Sequence, residues 1–291
     1  MRHGITRLEF LRIGALGAAA FAARRGWTED GTGAPDGQAD VRQRIPIGLQ
    51  LYSVRNECAK DLPAVLAAVA AMGYQGVEFA GYHGRSAPEL RKLLDDNGLR
   101  CCGTHLDIEA LTGDELSRTV EFNRVLGNEF LIVASLPDGM LSDRQRCLET
   151  ARAFNEISQQ VGPEDMRVGY HNHATDLRLL DGATAWDMFF SEARPEVVMQ
   201  LDTANMMEGG GDPVQCLRRY PGRAATVHLK EHSKTHPDAL LGEGDVDWRA
   251  IFDIVEAQGA TEWFIVEYEG DAIPPIVAVE RCLARLREMD R

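Results

Sequence analysis

The sequence predicts an α/β protein built as a single (β/α)8 barrel, preceded by a signal-like segment and a flexible linker. From residue 45 onward, short apolar or β-branched runs alternate with longer stretches of helical period, which is typical of repeated βα units and a parallel sheet. Eight such units can be counted. The chain has 291 residues, and one barrel of this kind uses about 250. Hydrophobic residues make up 44% of the chain, which is enough for a large core.

Each predicted strand is followed by a predicted helix. The strands are 47–51, 76–79, 100–105, 130–134, 167–171, 197–201, 225–229 and 263–267. Two helices have clear end signals: 62–72, with Asp61 as N-cap and Gly73 past its end, and 86–97, closed by Gly98. An open doubly wound sheet is the alternative, but no Gly-rich phosphate turn follows the first strand. The count therefore favours a closed barrel.

Residues 1–23 are typical of an export signal. Arg2, Arg7 and Arg12 precede an uncharged run over 13–23 that is too short to span a bilayer. The pattern resembles a twin-arginine signal, but Leu8 stands where the second arginine belongs. We expect an exported, periplasmic protein; a weakly amphipathic helix on a cytoplasmic protein is the alternative.

The segment 24–44 is rich in Gly, Asp and Gln and lacks apolar periodicity, which predicts a disordered linker before a barrel over 45–291. If export occurs, N-terminal sequencing of protein recovered outside the cytoplasm should find residues 1–23 removed. Intact Met1 on protein from the soluble cytosol would contradict this prediction.

Charge and cysteine content exclude several classes of protein. Lys plus Arg number 31 and Asp plus Glu 45, a net charge of −14 that repels a phosphate backbone, so we expect no nucleic acid partner. No apolar run predicts membrane integration. The six cysteines show no CxxC spacing, which argues against a zinc–thiolate site and favours buried, unpaired side chains.

Polar side chains recur at the predicted carboxyl ends of the strands, where the active site of such a barrel lies. The last four strands end on or beside these residues: His171 and His173; Asp202; His228 and Lys230; Glu267 and Glu269. Residues two apart in a strand share a face, so two imidazoles and two carboxylates can surround one point. This predicts a mixed nitrogen and oxygen site for one divalent metal, with Mn²⁺, Mg²⁺, Co²⁺, Fe²⁺ and Zn²⁺ all open.

Each of these residues has a structural alternative. A histidine at a strand end is often only hydrogen-bonded, Asp202 can cap a helix, and Lys230 and Glu269 can be solvated surface charges. Their recurrence at the same end of four successive strands favours the metal site.

Five further residues are predicted to contact a substrate: Gln50, Glu78, His105, Asp176 and Glu243. Glu78 has apolar neighbours and its carboxylate needs a partner, so an anchor behind the metal ligands is a second interpretation. His105 is equally compatible with a structural role. Glu243 lies in the glycine-containing stretch 241–248, which predicts a lid or a contact with a sugar hydroxyl. A turn whose Asp247 caps the next helix is the alternative.

Several segments in order resemble the xylose isomerase-like TIM-barrel superfamily, in particular its sugar phosphate isomerase/epimerase group, which includes ketose 3-epimerases and inosose dehydratases. The most telling are Gly48-Leu-Gln-Leu-Tyr-Ser-Val-Arg55, Gly73-Tyr-Gln-Gly-Val-Glu-Phe-Ala-Gly81, Gly169-Tyr-His-Asn-His173, Gln200-Leu-Asp-Thr203, Val227-His-Leu-Lys230, Leu241-Gly-Glu-Gly244 and Phe264-Ile-Val-Glu267. The resemblance covers nearly all of 45–289.

The resemblance implies one divalent metal with a ligand from each of the last four strands, at His171, Asp202, His228 and Glu267. Many members have Glu-Asn-His at the fifth strand, whereas this chain has His171-Asn-His173. A symmetrical two-glutamate epimerase mechanism therefore lacks one carboxylate. His173 has the same parity as His171 and remains a rival for the metal.

Together, the resemblance and the candidate site predict a sugar isomerase/epimerase or a keto-sugar dehydratase/lyase. It would abstract a proton next to a carbonyl through a metal-stabilised enediolate, with Glu267 as base and Lys230 or His173 returning a proton. The altered fifth strand favours elimination. The alternatives are a non-catalytic periplasmic metal- or sugar-binding barrel and an endonuclease IV-like phosphodiesterase. The expected partner is a small sugar or keto sugar, and a homo-oligomer is left open.

Overall fold

Eight parallel strands close into a barrel in the computed structural model, which describes residues 44–291. The predictions for 1–23 and 24–43 lie outside the described residues. The barrel strands, which we number in chain order, are β1 (Ile47–Gln50), β2 (Gly76–Ala80), β3 (Arg100–Leu106), β4 (Phe130–Val133), β5 (Arg167–His171), β6 (Val198–Asp202), β7 (Thr226–Leu229) and β8 (Trp263–Val266). β1 pairs with β2 and β8, and this closure confirms the predicted fold class.

Helices surround the strands, as the alternating pattern predicts. They are α1 (Arg55–Met72), α2 (Ala87–Asn97), α3 (Gly113–Leu126), α4 (Arg144–Val161), α5 (Ala185–Glu192), α6 (Thr203–Glu208), α7 (Pro213–Arg219), α8 (Trp248–Gln258) and α9 (Pro275–Glu288). Two short helices follow β6 instead of one. A two-stranded antiparallel hairpin, Leu179–Leu180 with Ala183–Thr184, precedes α5.

The two helix ends predicted from capping signals are confirmed. Asp61 breaks α1 with non-helical angles of φ −155° and ψ 80°, and its Oδ1 accepts from Ala64 N at 3.1 Å. The helix predicted from residue 62 is thus the second half of α1. The first half was missed because it begins after Val54 with no side-chain cap. α2 starts with the Ser86 and Glu89 capping box and ends at Gly98.

An irregularity between β2 and β3 shapes the barrel interior. Val77 pairs with Cys101 but Glu78 pairs with Gly103, so β3 carries one extra residue at a bulge. A Cβ at Gly103 would overlap the Glu78 carboxylate, and glycine therefore leaves the room that this side chain needs. The bulge and the glycine together admit a long acidic side chain to the barrel core.

Two depressions of about 760 and 890 Å³ lie at the amino ends, beside Arg100, Arg167 and Trp263. All six cysteines are buried and unpaired, as predicted. Among the described residues, no helix is both long enough and apolar enough to cross a membrane.

Candidate active site

Four buried side chains meet at the carboxyl ends of β5 to β8. His171 is the last residue of β5, Asp202 is the last of β6, His228 lies in β7, and Glu267 directly follows β8. Each offers one ligand atom, and these atoms lie within 4.8 Å of one another. We call these four residues the metal-ligand cluster. It contains all four predicted ligands, with His171 and not His173 from β5.

Strand register accounts for this convergence. Asp202 of β6 lies opposite His228 of β7, and His228 lies opposite Ile265, two residues before Glu267. Asp202 also caps α6, because its Oδ1 accepts from Asn205 N at 2.7 Å. Asp202 therefore caps a helix, as its structural alternative predicts, and also belongs to the cluster. One carboxylate oxygen makes the cap and the other is left for the cluster.

The second oxygen of Asp202 indicates that the cluster fits a cation. Asp202 Oδ2 is buried and has no hydrogen-bond partner among the described residues, and it lies 4.0 Å from His228 Nδ1. Burial is the largest effect on Asp202 and raises the pKa of its carboxyl group. A buried, unpaired carboxylate oxygen costs free energy that a divalent cation would offset, and mixed imidazole and carboxylate donors suit such a cation.

His228 lies between two carboxylates. Its Nδ1 is 2.6 Å from Glu267 Oε2, and its Nε2 is 2.6 Å from Glu78 Oε2. Burial alone would lower the pKa of His228, but Glu78 and Glu267 raise it to about 10. A cation bound at Nδ1 must therefore displace a proton. By contrast, burial, followed by the nearby His228 and His105, keeps the pKa of His171 well below its usual value, so His171 is neutral.

Lys230 lies beside the cluster and contacts two carboxylates. Its Nζ is 3.4 Å from Glu267 Oε1 and also pairs with Glu269. Burial would raise the pKa of Glu267, but Lys230 and His228 hold it well below its usual range. Glu269 is exposed, as its interpretation as a surface charge predicts, and its carboxylate also pairs with Lys230.

The floor beneath the cluster contains three of the predicted substrate contacts. Gln50 and Glu78 are 0% exposed, and Gln50 Nε2 donates to Glu78 Oε2 at 2.8 Å. His105 has a side chain only 11% exposed, and its Nε2 is 2.7 Å from Gln200 Oε1. The full burial of Gln50 and Glu78 argues against direct contact of either side chain with a substrate. The anchor interpretation of Glu78 fits its position.

His173 and Asp176 lie on one side of the cluster. The His173 ring is exposed and its centroid is 5.1 Å from that of His171. His173 N donates to Asp176 Oδ2 at 2.8 Å, and burial raises the pKa of Asp176. Both residues line a cavity of about 410 Å³ together with Ser135 and Ser142. A second cavity, of about 330 Å³, is lined by Lys230, Glu267 and Glu269. These two cavities are the spaces beside the cluster that a substrate can fill.

Glu243 is not brought to the cluster. Its carboxylate accepts from Leu240 N at 3.1 Å and pairs with Arg285 on α9. This position argues against the predicted contact between Glu243 and a sugar, because the turn directs the side chain outward to the helix. Asp247 caps α8 by accepting from Ala250 N at 3.0 Å, as the alternative interpretation predicts.

The sequence assigned no site role to two residues that contact the cluster. Gln200 Oε1 lies 3.0 Å from His171 Nδ1, and Asn205 Nδ2 lies 3.5 Å from His171 Nε2. Gln200 has the same strand parity as Asp202, a signal that could have found it. Asn205 gives no such signal, because its position depends on α6 starting directly at the strand end.

The chain is thus a closed (β/α)8 barrel in which two histidines and two carboxylates of a kind that binds metals meet at the ends of the last four strands. The family described as xylose isomerase-like TIM barrel matches residues 66–289, so this chain belongs to that family. The resemblance inferred from the sequence motifs is confirmed.

Curated relatives and solved structures agree with this membership. An inosose dehydratase from Clostridium tetani is 26% identical over 143 residues, which cover 42% of this chain and 47%, about half, of that protein. An inosose dehydratase from Klebsiella pneumoniae subsp. pneumoniae is 23% identical over 248 residues, covering 71% of this chain and 82% of that protein. The crystal structure of a sugar phosphate isomerase/epimerase from Parabacteroides distasonis superposes with a TM-score of 0.73 at 23% identity, covering 88% of this chain and 98% of that one.

Proposed function

We propose that this chain is a metal-dependent enzyme that removes a proton next to a carbonyl of a sugar or related cyclic polyol and then expels a β-substituent, as a keto-sugar dehydratase or lyase. The observation that carries the proposal is the buried metal-ligand cluster, with the unpartnered Asp202 Oδ2, next to Lys230. The relatives named inosose dehydratase and sugar phosphate isomerase/epimerase support a sugar-type substrate.

The four side chains of the cluster would hold one divalent cation, and Mn²⁺, Mg²⁺, Co²⁺, Fe²⁺ and Zn²⁺ are all compatible with these donors. Such a cation would supply positive charge that stabilises the oxyanion developing at the substrate carbonyl. His171 needs no deprotonation for this role because it is neutral. His228 gives up its Nδ1 proton and keeps its contact with Glu78.

Glu267 and Lys230 account for the proton transfers. Glu267 takes the proton from the carbon next to the carbonyl, the electron pair forms a carbon–carbon double bond, and the bond to the β-oxygen breaks. Lys230 donates a proton to that leaving oxygen, which departs as water or an alcohol. Protonation of Glu267 removes one of the carboxylates that stabilise the Lys230 ammonium, so the acid becomes stronger as the base is used. The separation of 3.4 Å then lets the proton return from Glu267 to Lys230.

The residue at the end of β5 favours elimination over epimerisation. An epimerase needs a second acid/base group on the opposite face of the substrate carbon, and a glutamate at this position would provide it. Here the position is His171, which is neutral and engaged by Gln200. Glu267 is therefore the one carboxylate base of the cluster with a proton donor beside it.

The surroundings of Lys230 favour a neutral substrate. Its charge is balanced by Glu267 and Glu269, so it offers little net attraction to a phosphate group. The cavity beside His173 is lined by the hydroxyl groups of Ser135 and Ser142 and by one residue of each charge, Asp176 and Arg178. Hydroxyl and carboxylate groups hydrogen-bond to polyols.

Solvent exchange tests this proposal. The protein is loaded with Mn²⁺, Co²⁺ or Zn²⁺ in turn and incubated in D₂O with inosose and with 3-keto glucosides, and the products are followed by NMR and by the ultraviolet absorbance of an enone. We expect deuterium exchange next to the carbonyl, followed by loss of the β-substituent. Exchange that yields only an epimer would contradict elimination. Saturable sugar binding without any exchange would overturn the enzyme proposal and favour a sugar-binding barrel.

A further inference from the structure

A single carboxylate fixes the direction of the hydrogen bonds beneath the cluster. Glu78 is completely buried, and its Oε1 accepts from Gln200 Nε2 at 2.8 Å. Its Oε2 lies 2.8 Å from Gln50 Nε2, 2.6 Å from His228 Nε2 and 3.1 Å from His105 Nε2. An ionised carboxylate only accepts hydrogen bonds, so Gln50, Gln200 and His228 must each present an N–H group to it, whereas the single Nε2 hydrogen of His105 is shared between Glu78 and Gln200.

The contact with Glu78 fixes the orientation of the Gln200 amide, and this orientation determines the hydrogen bonds on the opposite side of the floor. Its Nε2 faces Glu78 and also lies 3.0 Å from Thr226 Oγ1, so its carbonyl oxygen must point the other way. That oxygen is 3.0 Å from His171 Nδ1 and 2.7 Å from His105 Nε2. An amide oxygen accepts only, which requires a hydrogen on His171 Nδ1. Nε2 is then the only ring nitrogen of His171 that can offer a lone pair to a cation.

We propose that Glu78 and Gln200 are positioning residues that set which ring nitrogen of each histidine ligand is free to bind a cation. Glu78 keeps a hydrogen on His228 Nε2, which leaves Nδ1 for the cluster, where it lies 2.6 Å from Glu267 and 4.0 Å from Asp202. Gln200 keeps a hydrogen on His171 Nδ1, which leaves Nε2. Hydrogen bonds from the far nitrogen of a ligand histidine fix its tautomer and ring orientation.

The consequence for metal binding rests on the proposed function, whereas the tautomer of His171 exists in the metal-free chain. The two can therefore be tested apart. The reverse tautomer would direct an N–H group, and no lone pair, toward the cation. Metal affinity would then fall although every residue of the cluster was still present.

The variant Glu78→Gln should exchange donor and acceptor in the hydrogen bond between residues 78 and 200. If its amide oxygen takes the place of Oε2, its NH₂ group faces the NH₂ group of Gln200. Gln200 must then turn its amide over and present NH₂ to His171 Nδ1. We expect the His171 hydrogen to move to Nε2, seen in two-bond ¹H–¹⁵N spectra of the metal-free, ¹⁵N-histidine-labelled chain. We also expect a loss of about 10- to 100-fold in Mn²⁺ or Zn²⁺ affinity, measured by chelator competition.

The double variant Glu78→Gln/Gln200→Glu should reverse both effects. The carboxylate introduced at position 200 accepts from the amide introduced at position 78 on one side, and from His171 and His105 on the other. The wild-type tautomer and most of the metal affinity should return. This variant also serves as the test if the single variant does not fold.

Thr104→Val is the matched control. Thr104 is fully buried on β3 and hydrogen-bonds to Asn123 and Asn128, at 3.1 Å each, outside the cluster. It should lower the melting temperature without altering the His171 tautomer or metal affinity.

A hydrogen on Nε2 of His171 in the wild-type chain, or an unchanged tautomer in Glu78→Gln, would overturn the inference. So would an Nε2 hydrogen in the folded double variant. Failure of the wild type to bind any divalent metal would instead count against the proposed function, and the tautomer spectra would still decide this point.

Discussion

Replacing Asp202 with Asn is expected to remove tight metal binding and at the same time to stabilise the metal-free protein. The unpartnered Oδ2 of Asp202 is the oxygen available to a cation, so its loss should weaken metal binding by about 100-fold or more. The other oxygen caps α6, and asparagine caps a helix as well as aspartate does. The helix therefore stays intact and the change acts on the cluster alone.

The sign of the stability change follows from the pKa of Asp202. Burial raises this pKa, so the folded chain binds a proton at this carboxyl that the unfolded chain releases at lower pH. Stability then decreases as pH rises from the unfolded-state pKa through the folded-state pKa, and near neutral pH the ionised group destabilises the fold. Asparagine has no charge to bury. The metal-free variant should melt a few degrees higher, since about 1 kcal/mol corresponds to about 2–4 °C in a chain of this size.

Metal titrations followed by thermal denaturation check both parts. Wild type with metal at about 100 times its Kd should gain about 2.7 kcal/mol, and Asp202→Asn should gain almost nothing. Asp247→Asn is the matched control, because Asp247 caps α8 at the exposed surface without a buried free oxygen. It should leave metal binding and the metal-free melting temperature unchanged. Equal metal stabilisation of wild type and Asp202→Asn would refute the assigned ligand set.

The fold and the convergence of the four cluster residues were predictable because they depend on local signals. The strands are apolar runs, and β5 begins and ends at the predicted residues. His171, Asp202 and His228 lie on strand ends whose parity is fixed by the period of two, so their convergence follows once the barrel is assumed.

The floor and the flanks of the site were only partly predictable, because they depend on contacts between distant segments. The apolar neighbours of Glu78 indicated an anchor, but its partners depend on a bulge in β3 beside Gly103, and a bulge changes the register that parity arguments assume. Glu243 contacts Arg285, a pairing between a turn and the last helix that no local pattern encodes. Whether a strand-end carboxylate faces the substrate or a neighbouring Lys or Arg side chain depends on loops of irregular conformation.

Glu267→Gln should slow exchange of the substrate α-hydrogen with solvent by about 100- to 10,000-fold, the usual contribution of a general base. The variant keeps the side-chain volume but loses the carboxylate that faces both His228 and Lys230. Because Lys230 and His228 overcome the effect of burial and hold its pKa low, Glu267 stays ionised down to acidic pH. Protonation of this residue should therefore not limit exchange by the wild type between about pH 5 and pH 8.

The variant Glu269→Gln distinguishes the loss of the base from the loss of negative charge near Lys230. It makes the same chemical change two residues later, on a side chain 38% exposed that pairs with the same Lys230. With metal content measured in each variant and metal kept saturating, the loss of exchange in Glu269→Gln should stay below about tenfold, since an exposed ion pair contributes up to about 1 kcal/mol. Glu267→Gln should remain slow at full metal occupancy, because the base and not only a ligand is missing.

If the two variants were equally slow, the charge near Lys230 would be the determinant. If Glu267→Gln at full occupancy exchanged as fast as wild type, the proton would have to be taken by another group, such as His173.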